Sequence, residues 1–296
     1  MIKPFLKWVG GKTQIIDEVM DKFPDTINNY YEPFLGGGSV LLALLCKQKE
    51  EKIKIRGKII ANDINKNLIN VYKTIQSDPH KLIEQLKKLC SAYNSIKEDK
   101  MSSKPKRGLS VSEEDCLKSK EAFYYWIREK YNNSELGVES AAQFIFLNKT
   151  CFRGVYRESK NGFNVPFGNY TNPSIYDEEH IIEISKLIKD VIFTNESFEK
   201  VIYEVKRNDF VYLDPPYYPE NEKSFVDYNS TGFSEEMHKK LFQICLNLKC
   251  GFVMSNSDVK QVRDNFKDYN IDTIECRRSI NSKNPSSTTN EIIVYN

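Results

Sequence analysis

The segment FVYLDPPYYPE, residues 210–220, joins an apolar run to an acid, two prolines and two aromatic residues. Proline donates no backbone hydrogen bond to a sheet, so a strand formed by the FVYL run must end at Asp214. Pro215 and Pro216 restrict the backbone, which holds the Asp214 carboxylate and the Pro215 carbonyl close together as two acceptors. Two fixed acceptors suit an NH₂ group, and Tyr217 adds a flat surface on which a base can stack. The alternative is a proline-terminated strand whose acid has no chemical role.

A glycine cluster in NNYYEPFLGGGSVLLALLCK, residues 28–47, lies between a short aromatic strand and an apolar helix that opens at Ser39. The glycines at 36–38 allow a tight turn and a close approach to a ligand, and the helix behind them offers N–H groups. The dinucleotide fingerprint G-x-G-x-x-G fails, because Leu41 occupies the third glycine position. A cofactor without a pyrophosphate fits this pattern, and the alternative is a tight turn alone.

Asp63 follows the next predicted strand, which contains Ile59 and Ile60, and a helical pattern comes after it. In an open α/β sheet, an acid at this place usually accepts hydrogen bonds from ribose hydroxyls. We therefore expect Asp63 to bind the sugar of a nucleoside cofactor. The alternative is that Asp63 only caps the helix.

The N-terminal stretch KWVGGKT, residues 7–13, ends like a phosphate-binding loop. Leu6 stands where the first glycine of such a loop should be, so an NTPase is excluded. Two interpretations remain. The stretch is either a loop that caps an N-terminal helix, or a lid whose Trp8 packs on a ligand while its lysines reach the polar groups of that ligand.

The order of strand, glycine turn, helix, strand and acid predicts a parallel, doubly wound α/β sheet. The α/β pattern resumes at residue 190 and ends in an antiparallel strand pair at the sheet edge. Between these parts, amphipathic helical patterns at 79–93 and 121–130 flank a polar loop at 97–115. We therefore predict a discontinuous α/β domain, 1–75 and 171–296, that a mostly helical domain at 76–170 interrupts. Strands are predicted at 191–194, 210–213 and 251–255.

Composition indicates an ordinary globular protein of 296 residues with a net charge of only +2. No apolar stretch is long enough to span a membrane, and the N-terminal residues lack the apolar core of a signal peptide. The seven cysteines form no CxxC pair and there are only three histidines, so we expect reduced intracellular thiols and no metal site. The small net charge does not by itself require a nucleic-acid partner.

Several segments, in their order along the chain, resemble those of the Dam-type DNA adenine methyltransferases, which use S-adenosylmethionine. The resemblance covers nearly the whole chain, with the cofactor segments first, a recognition insert next and DPPY last. It implies a Rossmann-like methyltransferase sheet with an antiparallel C-terminal edge strand, plus a mostly helical DNA-recognition insert. The segments are FLKWVGGK (5–12), EPFLGGGSV (32–40), ANDIN (61–65), LNKTCFRGVYR (147–157), FNVPFGNY (163–170), ESF (196–198), DPPYY (214–218), SNSD (255–258) and RRSI (277–280).

The resemblance also implies roles for single residues around the cofactor. Ser197 and Phe198 would lie near its adenine, Asp214 would lie near both the methyl donor and the target amine, and Tyr217 would stack on a flipped adenine. Methyl transfer would leave S-adenosylhomocysteine and would need no metal. The residues expected to hold S-adenosylmethionine are Trp8, Lys12, Phe34, Gly36, Gly38, Asp63, Ser197, Phe198 and Asp214.

Double-stranded DNA is the implied partner, and a GATC site is the implied target. Phe152 would fill the gap left by the flipped base or wedge the neighbouring step. Arg157 would read a guanine edge, unless it contacts only a phosphate or solvent. The family often has Asn after the aromatic residue, where this chain has Arg153. The expected DNA-binding residues are Lys7, Phe152, Arg153, Arg157 and Pro166, with Arg277, Arg278 and Lys283 as phosphate contacts or an ordinary charged edge.

Three other functions remain as alternatives to a DNA adenine methyltransferase with a possible companion restriction endonuclease. One is an RNA adenine methyltransferase, and another is a catalytically silent DNA-binding regulator on the same fold. A restriction endonuclease is the least favoured, because no PD…ExK-type metal cluster accompanies a domain boundary. We expect no membrane partner and an intracellular compartment that contains DNA.

Overall fold

The structure is a computed structural model, and it describes residues 2–97, 112–219, 233–277 and 288–296. Most of the predicted polar loop at 97–115 therefore lies outside the described residues. The chain divides into two compact units. Unit 1 comprises Met1–Lys3, Lys12–Ile64 and Asp190–Asn296, and unit 2 comprises Pro4–Gly11 and Asn65–Lys189.

The described residues form the following elements. The strands are β1 Thr26–Ile27, β2 Tyr30–Glu32, β3 Lys54–Ile55, β4 Ile59–Asn62, β5 Glu158–Ser159, β6 Gly162–Phe163, β7 Val191–Thr194, β8 Phe210–Leu213, β9 Gly251–Ser257, β10 Asn270–Arg277 and β11 Thr288–Tyr295. The helices are α1 Ile16–Met20, α2 Ser39–Lys49, α3 Lys66–Ser77, α4 Pro79–Ser95, α5 Lys120–Asn133, α6 Val138–Thr150, α7 Glu178–Leu187, α8 Phe198–Tyr203, α9 Glu235–Asn247 and α10 Lys260–Asn265. Short 3₁₀ turns cover Lys12–Gln14, Cys116–Lys118 and Phe152–Gly154.

Unit 1 is built on a mixed sheet with the strand order β10-β11-β9-β8-β2-β4-β7. Strands β7, β4, β2, β8 and β9 run parallel, whereas β11 runs antiparallel to both β9 and β10. The central strands β4 and β8 are buried along their whole length, as expected of parallel strands covered on both faces. The predicted α/β class with an antiparallel strand pair at its C-terminal edge is therefore confirmed. The predicted strands at 191–194 and 210–213 match β7 and β8.

The order of the strands reverses between β2 and β8. From β2 the chain builds outward through β4 to β7, and it then returns to place β8 on the other side of β2. Open α/β sheets bind ligands outside the carboxyl ends of the strands at such a reversal. The glycine turn follows β2 and the DPPY segment follows β8, so both lie at this edge of the sheet.

Unit 2 is mostly helical and has its own core. Helix α6 packs against α3, α4 and α5, and nearly all of its residues are buried. Side-chain caps define where two helices begin, because Asp78 accepts from the N–H of Lys81 and Ser119 accepts from the N–H of Ala122. The helices predicted at 79–93 and 121–130 are confirmed as α4 and α5. A short hairpin, β5–β6, follows α6.

In the parts of the chain that the structure describes, no helix combines the length and the apolar character needed to cross a membrane.

Candidate active site

The Asp214 carboxylate lies directly after β8 and forms an ion pair with Lys12. The distance from Lys12 Nζ to Asp214 Oδ1 is 2.7 Å, and the side chains are 3% and 21% exposed, respectively. The backbone N–H of Lys12 also donates to Ser39 Oγ, at 3.1 Å, at the start of α2. Lys12 is therefore fixed by the first residue of α2 as well as by the acid after β8.

Burial and neighbouring charges shift the pKa of two carboxyl groups at this edge. Burial raises the pKa of Asp214 to about 6, Lys12 opposes the rise, and the charge of Glu291 adds to it. Burial also raises the pKa of Glu32 to about 8, against a 2.7 Å hydrogen bond from the hydroxyl of Tyr30. Asp214 contributes further to the rise at Glu32, so these acids disfavour one another's ionisation.

The ring of Tyr217 is held at its hydroxyl and at one face. Its hydroxyl donates to Glu291 Oε2 at 2.7 Å, and the Lys12 ammonium lies 4.9 Å from the ring centroid. Burial raises the pKa of Tyr217 well above its ordinary value, so this hydroxyl is a donor at neutral pH. Glu291 was missed by the sequence analysis, and the only available signal was an acid that opens the otherwise apolar run EIIVY.

Strand β9 fixes the backbone that follows the two prolines. Asn256 Oδ1 accepts from the N–H of Tyr218 at 2.9 Å, and Ser257 Oγ donates to the carbonyl of Tyr218 at 2.5 Å. The hydroxyls of Ser255 and Tyr212 are 3.0 Å apart. These contacts give a structural role to the SNSD segment, to which the sequence analysis assigned none.

The glycine turn after β2 is tied to Asp63, which follows β4. Gly36 and Gly38 have φ angles of 50° and 69°, in the left-handed region that favours glycine. The N–H of Gly36 donates to Asp63 Oδ2 at 2.9 Å. Helix α3 is capped by Asn65, whose side chain accepts from two backbone N–H groups, so Asp63 is not its cap. The capping alternative for Asp63 is thereby excluded.

Asn62, the last residue of β4, links the ends of the two neighbouring strands, β2 and β7, at the carboxyl edge of the sheet. Its amide group donates to the carbonyls of Pro33 and Glu196, at 3.0 Å each. Its carbonyl oxygen accepts from the Thr194 hydroxyl at 2.8 Å and from the N–H of Glu196 at 2.9 Å. Asn62 is 1% exposed, and its side chain both donates and accepts hydrogen bonds. The sequence analysis quoted it within ANDIN (61–65) but assigned it no role.

The structure also brings together Phe34 and Phe198, two of the residues expected at the cofactor. Their ring centroids are 5.5 Å apart, and Phe198 is 5% exposed. Ser197 caps α8 by accepting from the N–H of Lys200. Gly36, Gly38, Asp63, Asp214 and Lys12 belong to the same unit, so unit 1 contains all the expected cofactor residues except Trp8.

In unit 2, Asn148 holds the backbone of Lys7. Asn148 Oδ1 accepts from the N–H of Lys7 at 2.9 Å, and Asn148 Nδ2 donates to the Lys7 carbonyl at 2.7 Å. The adjacent Trp8 stacks on Tyr156 and Phe144, with centroid distances of 5.4 and 6.3 Å. The sequence analysis missed the role of Asn148. This residue is 3% exposed, and until its bonds to Lys7 are known it resembles any other buried polar residue of a helix.

Most of the residues expected to meet DNA share one patch of unit 2. The N–H of Phe152 donates to the carbonyl of Pro166 at 2.8 Å, and the Arg153 guanidinium lies 5.1 Å from the Phe152 centroid. The side chain of Lys7 packs on Gly154, where an added Cβ would come within 2.6 Å of it. Phe152 is 49% exposed, an unusual state for a phenylalanine.

Arg157, by contrast, is held by its own hairpin. Its Nε donates to Asn164 Oδ1 at 2.7 Å, and the side chain is exposed. Arg277 is the last residue of β10, and only its backbone is described. Arg278 and Lys283 lie outside the described residues. The roles of these four residues stay predictions.

Comparisons with known proteins identify the family. The model of the D12 class N6 adenine-specific DNA methyltransferases matches residues 8–280. The chain is 38% identical to the type II methyltransferase M.MjaIII of Methanocaldococcus jannaschii, over 95% of this chain and 94% of that protein. It is 34% identical to the type II methyltransferase M1.LlaDCHI of Lactococcus lactis subsp. cremoris, over 100% of this chain and 95% of that protein. It is 27% identical to the DNA adenine methylase of Escherichia coli K12, over 95% of this chain and 90% of that protein. The resemblance is confirmed, and the chain belongs to the D12 class of N6 adenine-specific DNA methyltransferases.

Proposed function

We propose that this chain methylates the N6 amine of a flipped adenine in duplex DNA, within GATC, with S-adenosylmethionine as the methyl donor. The observation that carries the proposal is the position of Asp214. Asp214 comes directly after β8, and the glycine turn comes after the neighbouring strand β2. The strand order reverses between these two strands. A nucleoside-type cofactor and a target amine are therefore expected at neighbouring strand ends.

The residues of unit 1 fit S-adenosylmethionine in their chemistry. Gly36 and Gly38 give a turn without side chains, Asp63 supplies a carboxylate for ribose hydroxyls, and Phe34 with Phe198 supplies an aromatic surface for adenine. When bound, the cofactor supplies an electrophilic methyl group. We assign these residues, with Ser197, Lys12 and Trp8, to its binding.

Asp214 and the Pro215 carbonyl are proposed to accept the two N–H groups of the target amine. The lone pair of an adenine amine is delocalised into the ring, so two acceptors favour a pyramidal nitrogen with a more available lone pair. The same acceptors stabilise the positive charge that develops on nitrogen as it attacks. Tyr217 stacks on the base and orients the amine. After transfer the nitrogen releases one proton, which Asp214 is placed to accept.

Unit 2 is proposed to recognise the DNA. The adenine amine lies inside the duplex, so the base must leave the stack at a cost of a few kcal/mol. The exposed ring of Phe152 can fill the gap that the flipped adenine leaves in the base stack. Arg157 can bind the edge of a guanine, a contact worth about 1–3 kcal/mol of discrimination against other bases. Lys7, Arg153 and Pro166 complete the patch. Arg277 and Arg278 are assigned to phosphates.

The names of two relatives as type II methyltransferases favour a companion restriction endonuclease for this chain. Methylation of RNA instead of DNA, and a silent regulatory role, are the competing outcomes of the test that follows.

The test uses unmethylated plasmid DNA, incubated with the protein and S-adenosylmethionine and then challenged with endonucleases that differ in sensitivity to GATC methylation. Protection at GATC, with N6-methyladenine mapped there by sequencing, is the expected result. Methylation mapped at another motif would replace GATC, and methylation of RNA alone would overturn the DNA assignment. Asp214→Ala, a folded variant without the carboxylate, is expected to leave the plasmid unmethylated.

A further inference from the structure

Glu291 connects the antiparallel edge of the sheet to the segment that follows its central strand. It lies on β11, opposite Ser257 of β9, and its Oε2 accepts from the hydroxyl of Tyr217 at 2.7 Å. Tyr217 follows β8, so a single side-chain bond reaches across β9 to the DPPY segment. Glu291 is partly buried, which reduces competition from water for this bond.

This contact decides which way the Tyr217 ring faces. A tyrosine ring turns about two side-chain torsions, and a hydrogen bond at its far end removes most of that freedom. Bonds to an ionised acceptor are shorter and stronger than bonds between neutral groups. The Lys12 ammonium, 4.9 Å from the centroid, adds an attraction at one face of the ring. Two opposite charges therefore hold the ring from different directions.

The same carboxylate also acts on the acid of the DPPY segment. Its negative charge raises the pKa of Asp214, in the opposite sense to Lys12. Among the described residues, the groups that face Asp214 are Lys12 in the first 3₁₀ turn, Glu32 on β2, Tyr212 on β8, Tyr217 after β8, and Glu291 on β11. Among them, Glu291 is the acid that also bonds to the tyrosine.

We propose that Glu291 is a positioning residue that fixes the Tyr217 ring for stacking on the target base. This role rests on the proposed function, because it has meaning only if a base is presented to that ring. Glu291 acts through Tyr217 and contacts neither the base nor the methyl donor.

The first readout is the rate of methyl transfer in a single turnover, at saturating DNA and S-adenosylmethionine. Glu291→Ala and Tyr217→Phe are each expected to lower this rate about tenfold, with little change in the affinity for the cofactor. The double variant is expected to be no slower than either single variant, because both changes break the same bond. Glu291→Gln keeps an acceptor oxygen and is expected to restore most of the rate.

The second readout is the pH profile of the same rate. Glu291→Gln removes a negative charge near Asp214, so the acid limb of the profile is expected to move to lower pH, whereas Tyr217→Phe leaves that charge in place. This comparison separates the direct effect of the Glu291 charge on Asp214 from its effect through Tyr217, which the first readout measures. Glu275→Gln, which changes an exposed acid on the neighbouring strand β10, is the matched control and is expected to leave both readouts unchanged.

An active wild type with fully multiplicative effects in the double variant, or with an unchanged rate in Tyr217→Phe, would overturn the positioning role alone. An inactive wild type in the same assay would instead overturn the proposed function, and the role with it. Thermal unfolding of each variant identifies any that fail to fold, and if Glu291→Ala is among them, the rate of Tyr217→Phe, which removes only the hydroxyl, decides the outcome.

Discussion

The ammonium nitrogen of Lys12 lies 2.7 Å from a carboxylate oxygen of Asp214, and the lysine side chain is only 3% exposed. A lysine is rarely buried to this degree without a partner of opposite charge. The pair also places the positive charge beside the carboxylate that is proposed to accept the target amine. Burial raises the pKa of Asp214 to about 6, and Lys12 keeps it from rising further. Asp214 is therefore mostly ionised at neutral pH.

The first prediction is a pH dependence of methyl transfer. The raised pKa of about 6 means that Asp214 gains a proton as the pH falls through this value and loses acceptor capacity. The single-turnover rate at saturating DNA is expected to rise with pH through about pH 6 and to level off above about pH 7. A rate that stays constant from about pH 5 to pH 8 would contradict the proposed role of the carboxylate.

The second prediction concerns the charge of Lys12. In Lys12→Gln the positive charge that lowers the pKa of Asp214 is gone, so the acid limb is expected to move to higher pH. The rate is measured at saturating cofactor, because Lys12 is also proposed to bind it. Lys22→Gln breaks a different ion pair of unit 1, with Asp272, and should leave the limb in place. An unmoved limb in Lys12→Gln would show that this pair does not control Asp214.

The sequence predicted the parts of the fold that depend on local pattern. Strands β7 and β8 are short apolar runs between breaks, and helices α4 and α5 carry a regular apolar face, so their positions follow from periodicity. The DPPY segment and the glycine turn stood out because proline and glycine restrict or free the backbone.

The contacts between distant segments could not be predicted in the same way. Glu291 and Asn148 have no local signature, since one looks like a strand-edge charge and the other like a buried polar residue of a helix. Their partners, Tyr217 and Lys7, lie far away in sequence and meet them only through the fold. The sequence indicated which residues could carry the chemistry, and the structure adds what holds them in place.

The third prediction separates two roles of Asp63. Its carboxylate holds the N–H of Gly36 at 2.9 Å and is proposed to accept from the ribose. Asp63→Ala loses both interactions and is expected to weaken the binding of S-adenosylhomocysteine at least tenfold, measured by calorimetry. Asp63→Asn keeps an acceptor for the N–H of Gly36, so its affinity for S-adenosylhomocysteine is expected to lie between those of Asp63→Ala and the wild type. Asn65→Ala, which removes the cap of α3, should lower stability by about 1 kcal/mol and leave binding unchanged.

The fourth prediction tests whether Phe152 assists base flipping. If the ring fills the gap in the stack, Phe152→Ala should slow methylation of a fully paired duplex. Placing a mismatch opposite the target adenine lowers the cost of unpairing, so it should restore much of the rate in the variant. Leu136→Ala removes another exposed apolar side chain of unit 2, 52% exposed, and is expected to be neutral. Equal slowing of Phe152→Ala on both substrates would point to a binding contact instead.

The fifth prediction concerns stability and rests on the buried Glu32, which is 1% exposed. Burial raises its pKa in the folded state from 4.5 to about 8. Between these values the unfolded chain releases the proton and the native state keeps it. Stability must therefore fall as the pH rises, by up to about 1.4 kcal/mol per pH unit from this group.

Glu32→Gln mimics the protonated carboxyl, keeps an acceptor for Tyr30 and does not titrate. The free energy of unfolding of this variant, minus that of the wild type, is expected to be near zero at about pH 4.5 and to increase steadily to about pH 8. Above that pH both states of the wild type are ionised, so the difference should become constant. Urea unfolding at several pH values measures it, and a difference that does not change with pH would mean that Glu32 is ionised in the native state throughout.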